Sequence, residues 1–292
     1  CAFLHRQRAC TTKMDMHTQI NKAQALRKMH DRSAILLLPN AWDAGSARLF
    51  AHRGFAAIAT TSAGVAWSLG YADGEQAPLA EVLAAIARIT RVVGLPVTAD
   101  IETGYGEAPT DVAATVRAVI AAGAVGINLE DGRPGHGPLR PVEEAAARIR
   151  AAREAADAAG VPIVINARVD NWMQHDAAAP AERLADAVQR AQAYLAAGAD
   201  CIYPIGLDDR ATLAALVQAI DAPINVAAGP GMPDLAELAR LGVARVSTAT
   251  RFATLAMAAV DHAAAAMLES GRFDSLASTL TYADAQQLFV QP

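Results

Sequence analysis

From Gln19 onward the chain repeats one alternation, a short continuous apolar run followed by a longer amphipathic stretch. The apolar runs fall at 34–39, 56–60, 97–100, 125–129, 162–167, 201–204, 223–226 and 243–247. They are apolar throughout rather than at every second position, which predicts strands covered on both faces. Helical periodicity is expected over 19–31, in a segment ending near Gly54, and over 78–93, 110–122, 141–159, 180–197, 208–220, 235–241 and 250–270, with one more short helix before Pro292. The small-residue stretch TSAGVAWSLGYADG, 61–74, is expected to be a long loop. The junctions AAGAVGINL, AAGVPIVIN and AAGADCIYP share one grammar, in which Gly closes a helix just before a strand.

Eight runs, each followed by a helix, require parallel strands and right-handed crossovers. The expected fold class is therefore α/β, a (β/α)8 TIM-type barrel forming a single domain over 18–292 with additional C-terminal helices. A doubly wound open sheet is the alternative, but no GxGxxG follows the first run to mark a dinucleotide site. Residues 1–17, CAFLHRQRACTTKMDMH, lack periodicity and the apolar stretch of a secretory signal. They are expected to be a disordered extension, with Met14 or Met16 an alternative start.

Barrel chemistry gathers at strand C-termini. In chain order those ends carry Trp42 and Asp43, Thr61-Ser62-Ala63 with Asp73 further along the loop, Asp100 and Glu102, Glu130 and Asp131, Arg168 and Asp170, Tyr203, Asn225, and Ser247. In VTADIETGYG, 97–106, alternation along an extended chain would turn Asp100 and Glu102 toward one point. Acids at consecutive strand ends repel unless a cation neutralises them, and oxygen ligands suit Mg²⁺. Arg168 offers a planar fork for a carboxylate or phosphonate.

Composition narrows the field. A net charge of −5 and a pI near 5.8 argue against nucleic acid as a partner. No apolar run is expected to reach the length of a membrane span. Cys1, Cys10 and Cys201 show neither metal spacing nor a paired framework, which fits a reducing cytoplasm. Lys13, Lys22 and Lys28 are the only lysines, and none lies at a strand end, so a Schiff-base aldolase is excluded. Histidines are absent from the clustered strand ends, which argues against a zinc aldolase.

The stretches LLLPNAWDAGSA, TTSAGVAWSLGYADG, ADIETGYG, NLEDG and NARVD, in this order between about residues 35 and 251, resemble the isocitrate lyase/phosphoenolpyruvate mutase family. The resemblance implies a barrel that assembles as a dimer of helix-swapped dimers. It also implies Mg²⁺, with Mn²⁺ as a substitute, stabilising the enolate of a small 2-oxo acid while a C–C or P–C bond breaks. It assigns Asp100 as a direct or water-bridged metal ligand, with Glu102 and Glu130 completing the shell through water. Thr61, Ser62 and Ala63 would hold a substrate carboxylate with Arg168 as its charge partner, and Asp73 matches an acid near the metal. Trp42 and Asn225 stand at strand ends as further substrate-binding candidates.

The sequence departs from that family in four places. Family lyases carry a Cys-containing loop after NLED, whereas GRPGHGPLRP, 132–141, has neither Cys nor Lys. The Asn-bearing loop of the mutases is not evident. Glu102 replaces the more usual Asp, and Ile205 stands where relatives place Glu or His. His136, between glycines in the short loop, is a candidate proton donor or an exposed loop histidine. Arg133 is a substrate clamp or a solvated charge, Asp43 a substrate contact or a helix cap, Tyr203 a cavity wall or a packing residue. Cys201 is expected to be a small core hydrophobe, and AAGPGMPD, 227–234, a tight connection rather than a phosphate cradle. The functions in contention are a Mg²⁺-dependent C–C lyase or decarboxylase on a small 2-oxo or 2-hydroxy carboxylic acid, a P–C mutase or hydrolase acting on phosphonopyruvate, and a non-catalytic binding barrel.

Overall fold

The strands of the computed structural model, which describes residues 16–135, 137–174 and 178–290, all pair in parallel. All eight expected runs are strands: β1 (Leu36–Leu38) with its continuation β2 (Asn40–Ala41), β3 (Ile58–Thr60), β4 (Val97–Asp100), β5 (Gly126–Glu130), β6 (Val164–Val169), β7 (Cys201–Pro204), β8 (Asn225–Ala227) and β9 (Arg245–Ser247). The helices are α1 (Met16–Lys28), α2 (Ala44–His52), α3 (Ser62–Leu69), α4 (Leu79–Val92), α5 (Pro109–Ala121), α6 (Val142–Ala158), α7 (Pro180–Ala196), α8 (Arg210–Ala219), α9 (Leu235–Arg240), α10 (Arg251–Ser270) and α11 (Tyr282–Val290). Ladder order follows chain order from β2 to β7, which is the TIM-type arrangement and not a doubly wound sheet.

The ladder is not continuous around the ring, and each of its two seams has a local cause. The first run splits at Pro39, which has no N–H to donate. Before it β1 pairs with β9, and after it β2 pairs with β3. Asn40 spans this seam with its side chain: Oδ1 accepts from Thr248 N at 2.8 Å, and Nδ2 donates to Thr60 O at 2.8 Å. Between β7 and β8 only a bridge at Ile202 and Ile224 remains.

Two expectations about elements are corrected. The stretch 61–74 is not all loop, because Ser62–Leu69 form α3, capped by Thr61 and closed by Gly70 at φ 89°. Its small residues conceal helical periodicity but are what fit the site: a Cβ on Gly64 would lie 2.7 Å from Thr61 Cγ2 and 2.9 Å from Trp42 Cβ. The first helix begins at Met16 rather than Gln19, so the helical domain starts inside the segment assigned to the extension. The disorder expected for residues 1–15 lies outside the described residues.

Helix α1 covers the N-terminal end of the barrel. Gln19 Nε2 donates to Ile120 O at 2.7 Å and Ala124 O at 3.1 Å, and Arg27 pairs with Asp200 at 2.5 Å. The opposite end is left for chemistry. A third correction concerns α10, whose 20 residues are long and apolar enough to cross a bilayer by length and composition. The expectation that no apolar run reaches that length misses it because eight of its fourteen apolar residues are alanines, which do not stand out as a hydrophobic run.

Candidate active site

The site is built from the ends of β3 to β6. The backbone N–H of Asp100 donates to Thr60 Oγ1 at 2.8 Å, which ties the end of β4 to β3. Asp100 Oδ2 accepts the N–H of Ser62, the first residue of α3, at 3.3 Å. A helix N-terminus carries partial positive charge, so it stabilises this carboxylate. Burial nonetheless pushes the Asp100 carboxyl upward, while Arg168 and the Ser62 amide oppose the rise.

Asp100 and Glu102 do come together, but not by strand alternation. β4 ends at Asp100, and Glu102 adopts φ 51° in the following turn. A left-handed non-glycine costs about 1–3 kcal/mol and persists only where its surroundings enforce it. Here the enforcement is local, since Glu102 Oε2 accepts the N–H of Glu75 at 2.7 Å and Oε1 accepts the Tyr105 hydroxyl at 3.2 Å. Burial first, then the charges of Asp100 and Asp73, push the Glu102 carboxyl from 4.5 up to about 7. The folded chain therefore holds this proton more tightly than the unfolded chain. In metal-free protein the resulting stabilisation is full below pH 4.5 and is lost as pH rises through about 7. Thermal melts in EDTA across that window should fall with pH more steeply in the wild type than in Glu102→Gln. Parallel curves would rule the shift out.

Across the β5–β6 ladder Glu130 stands opposite Arg168. Arg168 Nη1 lies 2.5 Å from Glu130 Oε2, and Nε and Nη2 each donate to Asp170 at 2.7 Å. The guanidinium fork is thus filled by the protein's own acids. Burial pushes the Glu130 carboxyl well up, opposed by Arg168. Asp131 points away from the mouth, where Oδ2 accepts from Tyr194 Oη at 2.6 Å and Arg190 Nη1 at 3.2 Å, and Oδ1 accepts from Asp170 N at 2.9 Å. Of the adjacent pair Glu130-Asp131, only Glu130 reaches the carboxylate cluster.

The remaining candidates separate by position. Thr61 Oγ1 accepts from Gly64 N at 3.3 Å, and Ala63 is buried in the first turn of α3. Asp73 lies close enough to Asp100 and Glu102 to raise both carboxyls. Trp42 is half-buried, packed against the hydrophobic core beside Gly64. Asp43 caps α2 through Ser46 N at 2.7 Å, one of its two expected roles. Asn225 opens β8 rather than ending it and is fully buried, with Nδ2 on Ser247 Oγ at 3.1 Å. Burial pushes the Tyr203 phenol up to about 12 and the Cys201 thiol up to about 12, so both stay neutral. Arg133 pairs with Glu107 at 3.1 Å, and Asp234, the last residue of the 227–234 connection, caps α9. His136 lies outside the described residues.

Glu75 was not legible as part of the site. Its Oε1 accepts from Thr103 Oγ1 at 2.6 Å and Tyr105 N at 3.0 Å, so it staples the α3–α4 loop onto the turn carrying Glu102. The only sequence signal was its nearness to Asp73. The short loop after β5 meets the same α3–α4 loop, since a Cβ on Gly74 would lie 2.8 Å from Gly135 Cα.

A sequence profile of the phosphoenolpyruvate phosphomutase family matches residues 26–268. The chain is 38% identical over 191 residues to the 2-methylisocitrate lyase of Escherichia coli K12, covering 62% of this chain and 61% of that protein. It is 34% identical over 213 residues to the oxaloacetate decarboxylase of Chromohalobacter salexigens, covering 69% and 70%. The solved structure of a Burkholderia cenocepacia J2315 protein assigned as a phosphonomutase superposes with a TM-score of 0.81 at 44% identity, covering 87% of this chain and all of the other.

Proposed function

We infer the reaction from one premise: this chain belongs to the isocitrate lyase/phosphoenolpyruvate mutase family and is an enzyme of its lyase and mutase class. Within that class, the site best supports a Mg²⁺-dependent lyase or decarboxylase that cleaves a C–C bond of a small 2-oxo or 2-hydroxy carboxylic acid. One observation carries this: Asp100, Glu102 and Glu130 are gathered from neighbouring strand ends into one another's electrostatic field, with Arg168 beside them.

The donor set fits a hydrated hard cation. Among the described residues no three His, Cys, Asp or Glu side chains close on one point. Glu102 and Glu130 are held by short bonds to protein donors, whereas the amide bonds to the Asp100 carboxylate are long, at 3.3 and 3.4 Å. Asp100 would be the direct ligand and the two glutamates would bind through water, as suits an ion that keeps part of its hydration shell. Bound Mg²⁺, or Mn²⁺ in its place, would supply Lewis acidity to a substrate oxygen on which charge develops.

The chain's own groups divide the rest of the work. Ser62 and Ala63, in the first turn of α3 behind the Thr61 cap, favour a substrate carboxylate there, and Arg168 shares its charge with it. Asp170 holds the Arg168 fork in plane, so orientation does not have to be created at the moment of reaction. Glu102, pushed up to about 7 by burial, can hold a proton near neutral pH, and Glu130, pushed up by burial and opposed by Arg168, stands beside it. Trp42 and Asp73 would shape the substrate's surroundings, and His136 is the sequence candidate for proton delivery from the loop.

The 44% identical structure assigned as a phosphonomutase favours one second reading, P–C chemistry on phosphonopyruvate. A panel of oxaloacetate, alkylmalates, isocitrate, methylisocitrate and phosphonopyruvate, followed by NMR with Mg²⁺ and then EDTA, separates the two. Pyruvate released from a carbon acid only with Mg²⁺ is expected. Turnover of phosphonopyruvate alone would move the enzyme to P–C chemistry, and activity unchanged in EDTA would remove the metal.

The exposed surface supports an assembly of several copies. Leu255, Val260 and Leu268 on α10 are 64%, 70% and 85% exposed, followed by Phe273 and Tyr282. Soluble monomers rarely leave such apolar surface uncovered, and a second copy, in a dimer of dimers, would cover it. Sedimentation of the full chain should give a multiple of its 30.4 kDa mass, and a monomer at micromolar concentration would refute the assembly.

A further inference from the structure

Arg148 of α6 is fully buried, yet it pairs with no carboxylate among the described residues. Its donors go to one place instead. Nη2 donates to Thr103 O and, at 2.8 Å, to Gly106 O, while Nη1 donates to Glu107 O. Thr115 of α5 adds a fourth bond to the same turn, from Oγ1 to Gly104 O at 2.9 Å. Four carbonyls in five residues, 103–107, are thus satisfied by side chains from the helices behind the turn.

This turn needs such a clamp. Glu102, Gly104, Tyr105 and Gly106 all have positive φ, at 51°, 101°, 57° and 155°. No ladder or helix can satisfy its carbonyls in that shape, and buried carbonyls must be satisfied by something. A guanidinium supplies several donors in one rigid plane, which an ammonium cannot reproduce. The front of the same turn carries the Glu102 carboxylate and the Glu75 bonds. A change at the back of the turn therefore moves Glu102 at the front.

We propose that Arg148 is a positioning residue which, by clamping the carbonyls of Thr103, Gly106 and Glu107, sets the place of the Glu102 carboxylate in the metal shell. The inference rests on the metal reading above. Groups that orient a metal's ligands typically cost about 10–100-fold in metal affinity when removed.

The test is Mn²⁺ binding to the full chain, read as loss of the free-ion electron paramagnetic resonance signal. Arg148→Met should remain folded by circular dichroism and bind Mn²⁺ at least about 10-fold more weakly than wild type. Arg148→Lys, which retains the charge and some donors, should fall between the two and covers the case in which the methionine variant does not fold. Arg153→Met is the control. Arg153 likewise donates to Gly198 O and Ile163 O, and it also pairs with Asp200 at 2.5 Å, but at the α7–β7 and α6–β6 junctions, away from the acids of the site. It should lose thermal stability and keep wild-type Mn²⁺ affinity. Wild-type affinity in both Arg148 variants would overturn the inference, as would equal weakening in Arg153→Met. Absence of Mn²⁺ binding by the wild type would instead overturn the metal reading, and this inference with it.

Discussion

Asp100→Ala is expected to lower kcat/KM by at least about 1,000-fold while leaving the barrel folded. A metal's stabilisation of developing charge is worth several kcal/mol, and each 1.36 kcal/mol is tenfold in rate. The amide bonds to Asp100 are long, so its loss would fall on the ion more than on the fold. Its removal also relieves a buried acid that burial already disfavours in its charged form. The metal-free variant should therefore melt no lower than metal-free wild type near neutral pH. Because the Asp100 charge helps to raise Glu102, the Glu102 carboxyl should titrate lower in the variant, which NMR can follow. Full metal-dependent turnover in Asp100→Ala would sink the ligand assignment.

Arg168→Met should damage both stability and activity. In the wild type the guanidinium answers Glu130 at 2.5 Å and Asp170 at 2.7 Å, all of them buried. Removing one partner of a buried ion pair typically costs about 3–5 kcal/mol, since the remaining charges lie uncompensated. Glu130, which burial already pushes up, can escape by taking up a proton, so the destabilisation should be largest near pH 7 and shrink as pH falls. Arg168→Lys restores the charge but not the planar fork, so it should recover stability more than activity. Chemical unfolding at two pH values, paired with steady-state kinetics, checks both parts. A stability loss independent of pH would show that the Glu130 and Asp170 charges are not what Arg168 balances.

The eight strands and most helices were legible because a strand buried on both faces must be apolar at every position, and such runs stand out. Helix α3 was not, because Ser, Ala and Gly carry too little side chain to show a period. Their smallness has a tertiary cause: Gly64 sits where Thr61 and Trp42 leave no room for a Cβ. Asn225 was placed one strand end too high, since a run of apolar residues does not mark where hydrogen bonding to a neighbour begins.

At the site, residue identity and residue geometry divide cleanly. The acids Asp100, Glu102 and Glu130, the base Arg168 and the family to which they belong are properties of the chain order and its motifs. That Glu102 reaches Asp100 through a left-handed turn, that Asp131 turns away to Tyr194 and Arg190, and that Arg168 is already filled by Glu130 and Asp170 are not. Glu75 and Arg148 join the site from 27 and 45–46 residues away along the chain, through bonds to a turn with no periodicity of its own. Sequence alone determined the barrel and its acidic strand ends, because burial and strand order are written in hydrophobic pattern. Only the tertiary structure decided which acids face one another and what holds them, because side-chain direction in an irregular turn is set by hydrogen bonds from distant segments.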